Sequence, residues 1–226
     1  QKWVKPGTNE PCTNTLITSV PFLRITPDAR SGAMGDAGIA TSADANAIHF
    51  NSSKLAFVEQ DLSLSVTYTP WLRALGLNDV YMAYLAGYKQ IDELSTVGFG
   101  LRYFSLGLIN YTTDTGGDNG TGKPNEFEIS GAYARKLSDN FSLSIGGKFI
   151  FSNLAAGQRV GAVEIKPGTA GAVDFGVTYK KDIELSGNQT NLTVGAAVTN
   201  LGTKISYTNS ANKDFIPTNL GIGAAW

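Results

Sequence analysis

The stretch Asp61-Leu62-Ser63-Leu64-Ser65-Val66-Thr67-Tyr68-Thr69 alternates apolar and hydroxyl-bearing side chains from Leu62 onward. Successive side chains of a β-strand point to opposite faces, so this period of two predicts a strand with one apolar and one polar face. The same alternation recurs at 141–146, 173–180 and 192–199. The sequence therefore predicts an all-β protein whose strands have two unlike faces.

The predicted strands are mostly ten residues or longer. Strands of globular proteins cluster near 5–6 residues, whereas a strand tilted across a bilayer needs about 9–11. No run of about 18 apolar residues could form a transmembrane helix, so a membrane-spanning form of this chain must be a barrel. The lengths favour a transmembrane antiparallel β-barrel. Its predicted strands are 61–69, 79–88, 95–111, 125–135, 140–152, 170–181, 190–200 and 217–226.

The links between these strands alternate in length along the chain. The short ones are 89–94, 136–139 and 182–189, and the long, polar or Gly-rich ones are 112–124, 153–169 and 201–216. Transmembrane barrels have short periplasmic turns and long extracellular loops. We therefore expect the long links, together with 70–78, on the extracellular side, and the irregular N-terminal segment on the periplasmic side.

Aromatic residues gather at or near the predicted strand ends, where amphipathic rings prefer the boundary between membrane and water. The alternative is that they are core residues of a soluble β-sandwich. The positions concerned are Tyr68, Trp71, Tyr88, Tyr103, Tyr111, Tyr133, Phe141, Phe151, Tyr179 and Trp226.

Composition and charge exclude several classes of protein. Only 16% of the residues are charged, whereas a soluble domain carries about a quarter. The net charge of −1 gives no basic face for a nucleic-acid partner. Cys12 is the single cysteine, so no intrachain disulfide is expected. The first residues lack an apolar leader core, so the protein is expected to be cytoplasmic or to have lost its leader.

The first 57 residues show no sustained periodicity and are interrupted by prolines. Short helical turns are predicted there, around Asp28–Met34 and Asp44–Phe50. Within this segment, the stretch 32–47 followed by Asn51 and Lys54-Leu55-Ala56 resembles the N-terminal hatch of fatty-acid-transporter-like (FadL-like) outer-membrane barrels. Ser52-Ser53 stands where those proteins carry Pro-Ala, so no proline fixes the backbone φ at this turn.

A closer resemblance is to PorV-like proteins of the type IX secretion system. It is carried by 18–30, by Tyr68-Thr69-Pro70-Trp71-Leu72-Arg73 and by Leu101-Arg102-Tyr103-Phe104-Ser105, and it runs through most of the chain. The resemblance implies a hatch at 1–57 and barrel strands over 58–226. It also implies a barrel of 14 strands, of which eight are found here, so the chain is expected to be incomplete by about six strands.

The same resemblance implies a function and partners. PorV-like proteins are located in the bacterial outer membrane, in contact with membrane lipid, and bind the C-terminal signal domains of secreted cargo. They associate with the large translocon barrel and with the surface attachment complex that includes a sortase. The alternative is the older role of FadL-like barrels, the transport of hydrophobic small molecules across the outer membrane.

Two sets of candidate residues follow. Loops on a rigid scaffold usually carry recognition, so the partner-binding candidates are Trp71, Leu72, Arg73, Asp114, Asp118 and Arg159. The hatch and lumen candidates are Phe22, Arg24, Arg30, Met34 and His49. Arginines such as Arg30 are expected to pair with hatch carboxylates, for example Asp28 and Asp36. The apolar hatch residues are expected either to line a ligand pocket or to fasten the hatch to the wall.

No catalytic, cofactor or metal site is predicted. His49 is the only histidine, and although serines and aspartates lie near it, no Gly-x-Ser-x-Gly turn is present. A metal site would need a second histidine or clustered cysteines. An enzyme acting on envelope lipids through His49 is the remaining catalytic hypothesis, and the sequence favours a non-enzymatic protein.

Overall fold

The computed structural model describes residues 18–113, 115–155, 157–160, 163–185, 188–208 and 213–226. Its strands are β1 (Leu62–Pro70), β2 (Val80–Asp92), β3 (Ser95–Leu106), β4 (Ile109–Thr112), β5 (Asp118–Gly122), β6 (Asn125–Ser138), β7 (Phe141–Asn153), β8 (Arg159–Val160), β9 (Val163–Glu164), β10 (Gly168–Leu185), β11 (Asn188–Gly202) and β12 (Asn219–Ala225).

Eight of these strands form one curled antiparallel sheet in the order β1-β2-β3-β6-β7-β10-β11-β12. Among the described residues, β1 and β12 each have one hydrogen-bonded neighbour, so the sheet is a half-barrel. The links β2–β3, β6–β7 and β10–β11 are short and lie at one end, called here the short-turn end. The other links lie at the opposite, long-loop end. The predicted all-β antiparallel barrel wall is confirmed.

The predicted strand 95–111 is wrong in one respect, because it breaks at Gly107. This glycine has a φ of +79°, a left-handed conformation that ends β3 and that glycine adopts without steric cost. The chain then forms the separate hairpin β4–β5 above the wall. A second small hairpin, β8–β9, lies in the next long link. The long links are thus partly ordered as strands, which their polar composition did not indicate.

The wall has its apolar face outside and its polar face inside. On β7, Leu143, Ile145 and Phe149 are exposed, whereas Ser144 and Lys148 between them are buried. A water-soluble sandwich would bury the apolar side chains instead, so this pattern is that of a transmembrane barrel wall. Separately, no helix in the described part of the chain is long and apolar enough to cross a bilayer.

An aromatic girdle follows the outer face of the wall near the long-loop end. Tyr103, Phe127 and Phe151 are direct cross-strand neighbours on β3, β6 and β7. The row continues through Tyr81, whose ring centroid lies 6.1 Å from that of Tyr103, to Tyr68 at 5.3 Å from Tyr81. The predicted placement of aromatics at the membrane boundary fits these positions.

The opposite boundary is marked by Phe141, which is paired with Tyr179 at the short-turn end. The rise from Phe141 to Phe151 along β7 is about 33 Å, or about 25 Å across a bilayer at a tilt near 40°. Tyr111 lies in the β4–β5 hairpin above the wall rather than at its boundary. Two further predicted boundary residues are also placed elsewhere. Tyr88 points inward and is 4% exposed, and Trp71 packs edge-on against the inward-facing Phe104 with 6.0 Å between ring centroids.

The hatch segment, defined here as the described residues 18–57, lies against the polar inner face of the wall. It contains α1 (Ala29–Ala33) and α2 (Ala47–Phe50), which confirm the predicted helical turns, and 3-10 helices over Pro21–Arg24 and Ser52–Phe57. The Asp28 carboxylate caps α1 by accepting a hydrogen bond of 2.8 Å from the Ser31 N–H.

The hatch segment runs through the lumen from one end to the other. Val20 and Phe22 pack in a cluster with Val80, at the long-loop end of β2. Leu55 packs in a cluster with Tyr88, close to the short turn after β2. The expectation that the whole N-terminal segment lies on the short-turn side is therefore wrong, because its first described residues lie at the long-loop end.

Because the apolar face of the wall is outside, a charged side chain placed on that face should lower stability most in the middle of a strand. Ile145 and Leu137 are similarly exposed, at 52% and 56%, but Ile145 lies mid-strand and Leu137 next to a short turn. We expect Ile145→Lys to lower the free energy of unfolding in lipid vesicles by about 2–4 kcal/mol, and the control Leu137→Lys by about 0–1 kcal/mol. Urea titrations measure both, and equal losses would contradict a lipid-facing Ile145.

Candidate functional site

Four charged side chains of alternating sign cross the inner wall on neighbouring strands. Arg102 on β3 lies 3.2 Å from Glu128 on β6, and Lys148 on β7 lies 3.8 Å from Glu128 and 2.8 Å from Asp174 on β10. All four are buried. We call them the charge ladder. Charges removed from water are costly unless they are paired, and the alternation gives each residue of the ladder an opposite neighbour.

The charge ladder holds the first part of the hatch segment. The Arg102 guanidinium donates to the carbonyl oxygens of Phe22, at 2.9 Å, and Ile25, at 3.2 Å. It also donates to Nδ1 of His49 at 2.6 Å. Since arginine has no acceptor, Nδ1 of His49 must be unprotonated and its Nε2 carries the proton. Wall and hatch are thus joined through one buried guanidinium.

His49 is held in its neutral form. Burial, and then the positive charges of Arg102 and Lys148, lower the pKa of His49 well below its usual value. The polar contact found for its ring is to Arg102, and the Ser52 hydroxyl donates to Ser144 at 2.8 Å. The arrangement is that of a structural histidine between hatch and wall.

At its other end the charge ladder reaches β11. Lys148 donates to the side-chain oxygen of Asn200 at 3.0 Å, and the Asn200 N–H donates to Asp174 at 2.7 Å. Asn200 has a φ of +58°, which asparagine tolerates better than most residues. Its amide also donates to the carbonyl oxygen of Pro217 at 3.2 Å. The backbone before β12 is thereby fixed to the same network.

A second anchor holds the end of the hatch segment. The Asn51 amide nitrogen lies 3.1 Å from each of three acceptors, the carbonyl oxygens of Ile39 and Val177 and the hydroxyl of Thr178. Its side-chain oxygen accepts from the N–H and the hydroxyl of Ser53. Asn51 is 1% exposed. One buried amide therefore links two separate stretches of the hatch backbone, at Ile39 and at Ser53, to β10.

The serines that replace Pro-Ala take part in this anchor. Besides the Ser52 bond to Ser144, the Ser142 hydroxyl donates to the carbonyl oxygen of Ser53 at 2.8 Å, and the Ser53 and Thr178 hydroxyls lie 2.7 Å apart. Pro-Ala would keep the carbonyl oxygen that accepts from Ser142 but would lack the hydroxyls of Ser52 and Ser53. The departure from the FadL-like pattern therefore provides polar contacts to the wall.

Lys54 is buried next to this anchor. Its ammonium donates to the carbonyl oxygen of Gly38 and, at 3.2 Å, to the hydroxyl of Thr41. Burial lowers the pKa of Lys54 from 10.5 to about 8, and the carboxylate of Asp44 opposes part of this shift. The charged form of Lys54 thus costs free energy in the folded hatch.

At the long-loop end, two adjoining loops expose apolar side chains. They are Leu72, Leu75, Leu77, Leu108 and Ile109, with exposed fractions from 37% to 74%. We call them the loop-end surface. The Asp79 carboxylate accepts from the N–H of Leu108 at 2.6 Å, and the Asp79 carbonyl accepts from the Ser105 hydroxyl at 2.9 Å. The two loops are therefore fastened together.

The remaining long loops also contact one another. The Asn119 side chain donates to Gln158 at 2.9 Å, which joins the β4–β5 hairpin to the link after β7. The Lys166 N–H donates to the carbonyl oxygen of Tyr207 at 2.8 Å, which joins that link to the loop before β12. The loops at this end thus form one connected rim.

The partner-binding candidates all lie at the long-loop end where they are described. Leu72 and Arg73 are exposed in a short loop that includes the 3-10 helix Arg73–Leu75, whereas Trp71 is half-buried. Asp118 and Arg159 are exposed at the starts of β5 and β8. Asp114 lies outside the described residues. The structure brings these residues to one end, and their role in binding stays a prediction.

The hatch candidates differ in placement. Phe22 is buried against the wall, whereas Arg24 and Met34 are exposed. Arg30 forms an ion pair of 2.7 Å with Asp44, so the expected pairing with a hatch carboxylate occurs, with Asp44 rather than Asp28 or Asp36. Of the five candidates, Phe22 and His49 contact the charge ladder, both through Arg102.

Sequence reasoning missed Glu128, Lys148 and Asp174. A signal was present, because each occupies a polar position of an alternating strand, flanked by outward apolar residues. A charge at such a position points into the lumen, where it needs a partner. No group of three or more residues suited to hold a metal ion occurs within the described ranges.

The comparisons with known proteins agree with this geometry. A family model described as type IX secretion system protein PorV matches residues 8–226. The chain belongs to the PorV family. No curated protein matches the sequence. As a PorV-family chain it is a component of the type IX secretion system, a secretion function rather than that of a known enzyme family.

The charge ladder predicts that neutralising Glu128 lowers the free energy of unfolding more than neutralising Glu126. Glu128→Gln would leave Arg102 and Lys148 buried without the carboxylate between them, and we expect a loss of about 3–5 kcal/mol in the free energy of unfolding. The control is Glu126→Gln, on the same strand and equally buried, whose carboxylate accepts from Ser152 at 2.6 Å. Its expected loss is about 1 kcal/mol. Guanidinium titrations in detergent compare them, and equal losses would refute the ladder's role.

Lys54 predicts a rise in stability with pH. The unfolded chain keeps Lys54 protonated up to its usual pKa of 10.5, whereas the folded chain releases the proton near pH 8. The free energy of unfolding should therefore increase between these values, by up to about 3 kcal/mol. Lys54→Met should flatten the curve, and the control Lys180→Met, in the same cavity, should retain it. An unchanged slope in Lys54→Met would contradict this assignment.

Proposed function

We propose that this PorV-family chain is an outer-membrane adaptor that binds the C-terminal signal domains of secreted cargo at its loop-end surface. It associates with the large translocon barrel and with the attachment complex that contains the sortase. The observation that carries this proposal is the exposure of a connected group of apolar side chains beyond the aromatic girdle, where lipid does not cover them.

Position along the wall separates the loop-end surface from the lipid-facing residues. Tyr81 and Tyr103 of the girdle lie on the strands that lead into these loops. Leu75, which is 74% exposed, follows the end of β1 and therefore lies past the boundary that the rings mark. Single exposed leucines are ordinary, but a contiguous apolar group is typical of a surface that binds another protein.

The joined rim supports binding because it limits the entropy lost on association. A loop already held by Asp79, or by the contact of Asn119 with Gln158, needs less ordering when a partner docks. The loops are thus a preorganised surface on a rigid wall, which is how recognition residues are commonly presented.

We assign residues 1–57 to a hatch that closes the lumen and 58–226 to the barrel wall. The two anchors support this division, because Arg102 and Asn51 hold hatch backbone near the two ends of the inner face. A hatch fixed by buried polar contacts blocks a water-filled path, so the protein works by recognition at its rim rather than by conduction.

An outer-membrane location follows from the same features. The exposed apolar wall would aggregate in water, and the distance of about 25 Å between its aromatic boundaries matches the apolar band of outer-membrane barrels.

Transport of a hydrophobic small molecule is the second candidate function. This function is favoured by a cavity of about 730 Å³ between hatch and wall at the short-turn end. The cavity is lined in part by Lys54, Phe57, Tyr88 and Trp226. An amphiphile would fit this mixture of apolar and charged groups. The buried Phe22 and Leu23 pack in the wall cluster elsewhere and fasten the hatch. Saturable binding of a labelled fatty acid, without cargo binding, would favour transport.

The adaptor function predicts that an acidic side chain on the loop-end surface weakens cargo binding. We expect Leu75→Asp to raise the Kd for a purified cargo C-terminal signal domain at least about tenfold, the effect of about 1.4 kcal/mol at a contact residue. The control is Leu94→Asp, in a short turn, where the leucine is 45% exposed. Binding is measured by biolayer interferometry with protein in nanodiscs. An unchanged Kd for Leu75→Asp would contradict a cargo site here.

A further inference from the structure

The hatch segment begins on the rim formed by the long loops. Thr18 is exposed and forms a parallel bridge with Phe215. The Ser19 N–H donates to the carbonyl oxygen of Phe215 at 2.9 Å, and the Ser19 hydroxyl donates to Asp214 at 3.1 Å. Asp214 in turn is paired with Ile205 across the loop before β12. Thr18 and Ser19 therefore add an extended segment to the side of that loop.

From this point the chain goes down into the lumen. Val20 and Phe22 are each 1% exposed in the cluster at the long-loop end. The chain reaches the short-turn end at Leu55 and then enters β1, whose first residue, Leu62, is paired with Lys89 beside the short turn. The direction of the hatch is thus from rim to short turns.

The chain bends at Val20 as it leaves the rim, and contacts before and after Val20 hold this bend. Val20 has φ +53° and ψ +54°, a left-handed conformation that is sterically unfavourable for a β-branched residue. Such a conformation persists where its surroundings over-determine it. The bridge to Phe215 fixes the chain before Val20, and Arg102 fixes the carbonyl of Phe22 after it.

We infer that the hatch segment enters the barrel from the cell-surface end, so that Thr18 and Ser19 lie on the partner-binding face rather than in the periplasm. This inference rests on the orientation in the proposed function, with long loops outside. It adds Thr18 and Ser19, where the hatch segment begins, to that face. Phe215, which is 53% exposed beneath the Lys204 ammonium, lies beside the point of entry.

Single-cysteine labelling on intact cells tests the inference. In a Cys12→Ser background, Thr18→Cys reports the hatch entry, Thr121→Cys reports the long-loop end, and Asp139→Cys reports the short-turn end; all three positions are exposed. The probe is a membrane-impermeant polyethylene-glycol maleimide, applied before and after permeabilisation of the outer membrane.

We expect Thr18→Cys and Thr121→Cys to be labelled equally before and after permeabilisation, and Asp139→Cys only afterwards. If Thr121→Cys is labelled on intact cells but Thr18→Cys needs permeabilisation, the threading is wrong and the proposed orientation stands. If Asp139→Cys is labelled on intact cells and Thr121→Cys is not, the orientation itself fails, and the inference fails with it.

Discussion

The desolvation of polar groups inside the barrel is the constraint on which the structure depends. Strands with an apolar outer face must direct their alternate residues inward, and the hatch removes water from that inner face. Arg102, Glu128, Lys148 and Asp174 meet this constraint by pairing across four strands. Asn51 meets it with hydrogen bonds to the hatch and to β10. The polar groups of the wall and of the hatch therefore supply each other's hydrogen-bond and ion-pair partners. Neither inner surface is stable alone, because its polar groups would be left without those partners.

This constraint also separates the two ends of the molecule. Where hatch and wall touch, the polar groups are used in mutual contacts, which leaves little for recognition. Beyond the girdle, the Asp79 carboxylate and the contact of Asn119 with Gln158 hold the loops to one another. Leu75 and its neighbours on the loop-end surface stay exposed. The proposed binding of partners therefore falls to the rim, because the hatch segment occupies the lumen.

Much of the fold could be predicted from the sequence. A period of two in the side chains indicates both that a segment is a strand and which of its residues lie on each face. The eight wall strands followed from this alternation and from the lengths of their links, and the family followed from the resemblance of 18–30, 68–73 and 101–105. The hairpin β4–β5 did not, since one left-handed glycine, Gly107, divides a continuous pattern. The charge ladder did not either, because partners such as Lys148 and Asp174 meet through strand register, which alternation alone does not reveal.

The anchor at Asn51 has a consequence for how the barrel is assembled. Asn51 bonds to Val177 and Thr178, which are 126 and 127 positions away along the chain, and Thr18 pairs with Phe215 near the last strand. Contacts of such long range slow folding, because loop-closure entropy is lost before they form. A finished wall would also leave little room to thread a chain along its interior. The N-terminal segment is then better viewed as a template around which the strands are wound than as a plug inserted afterwards.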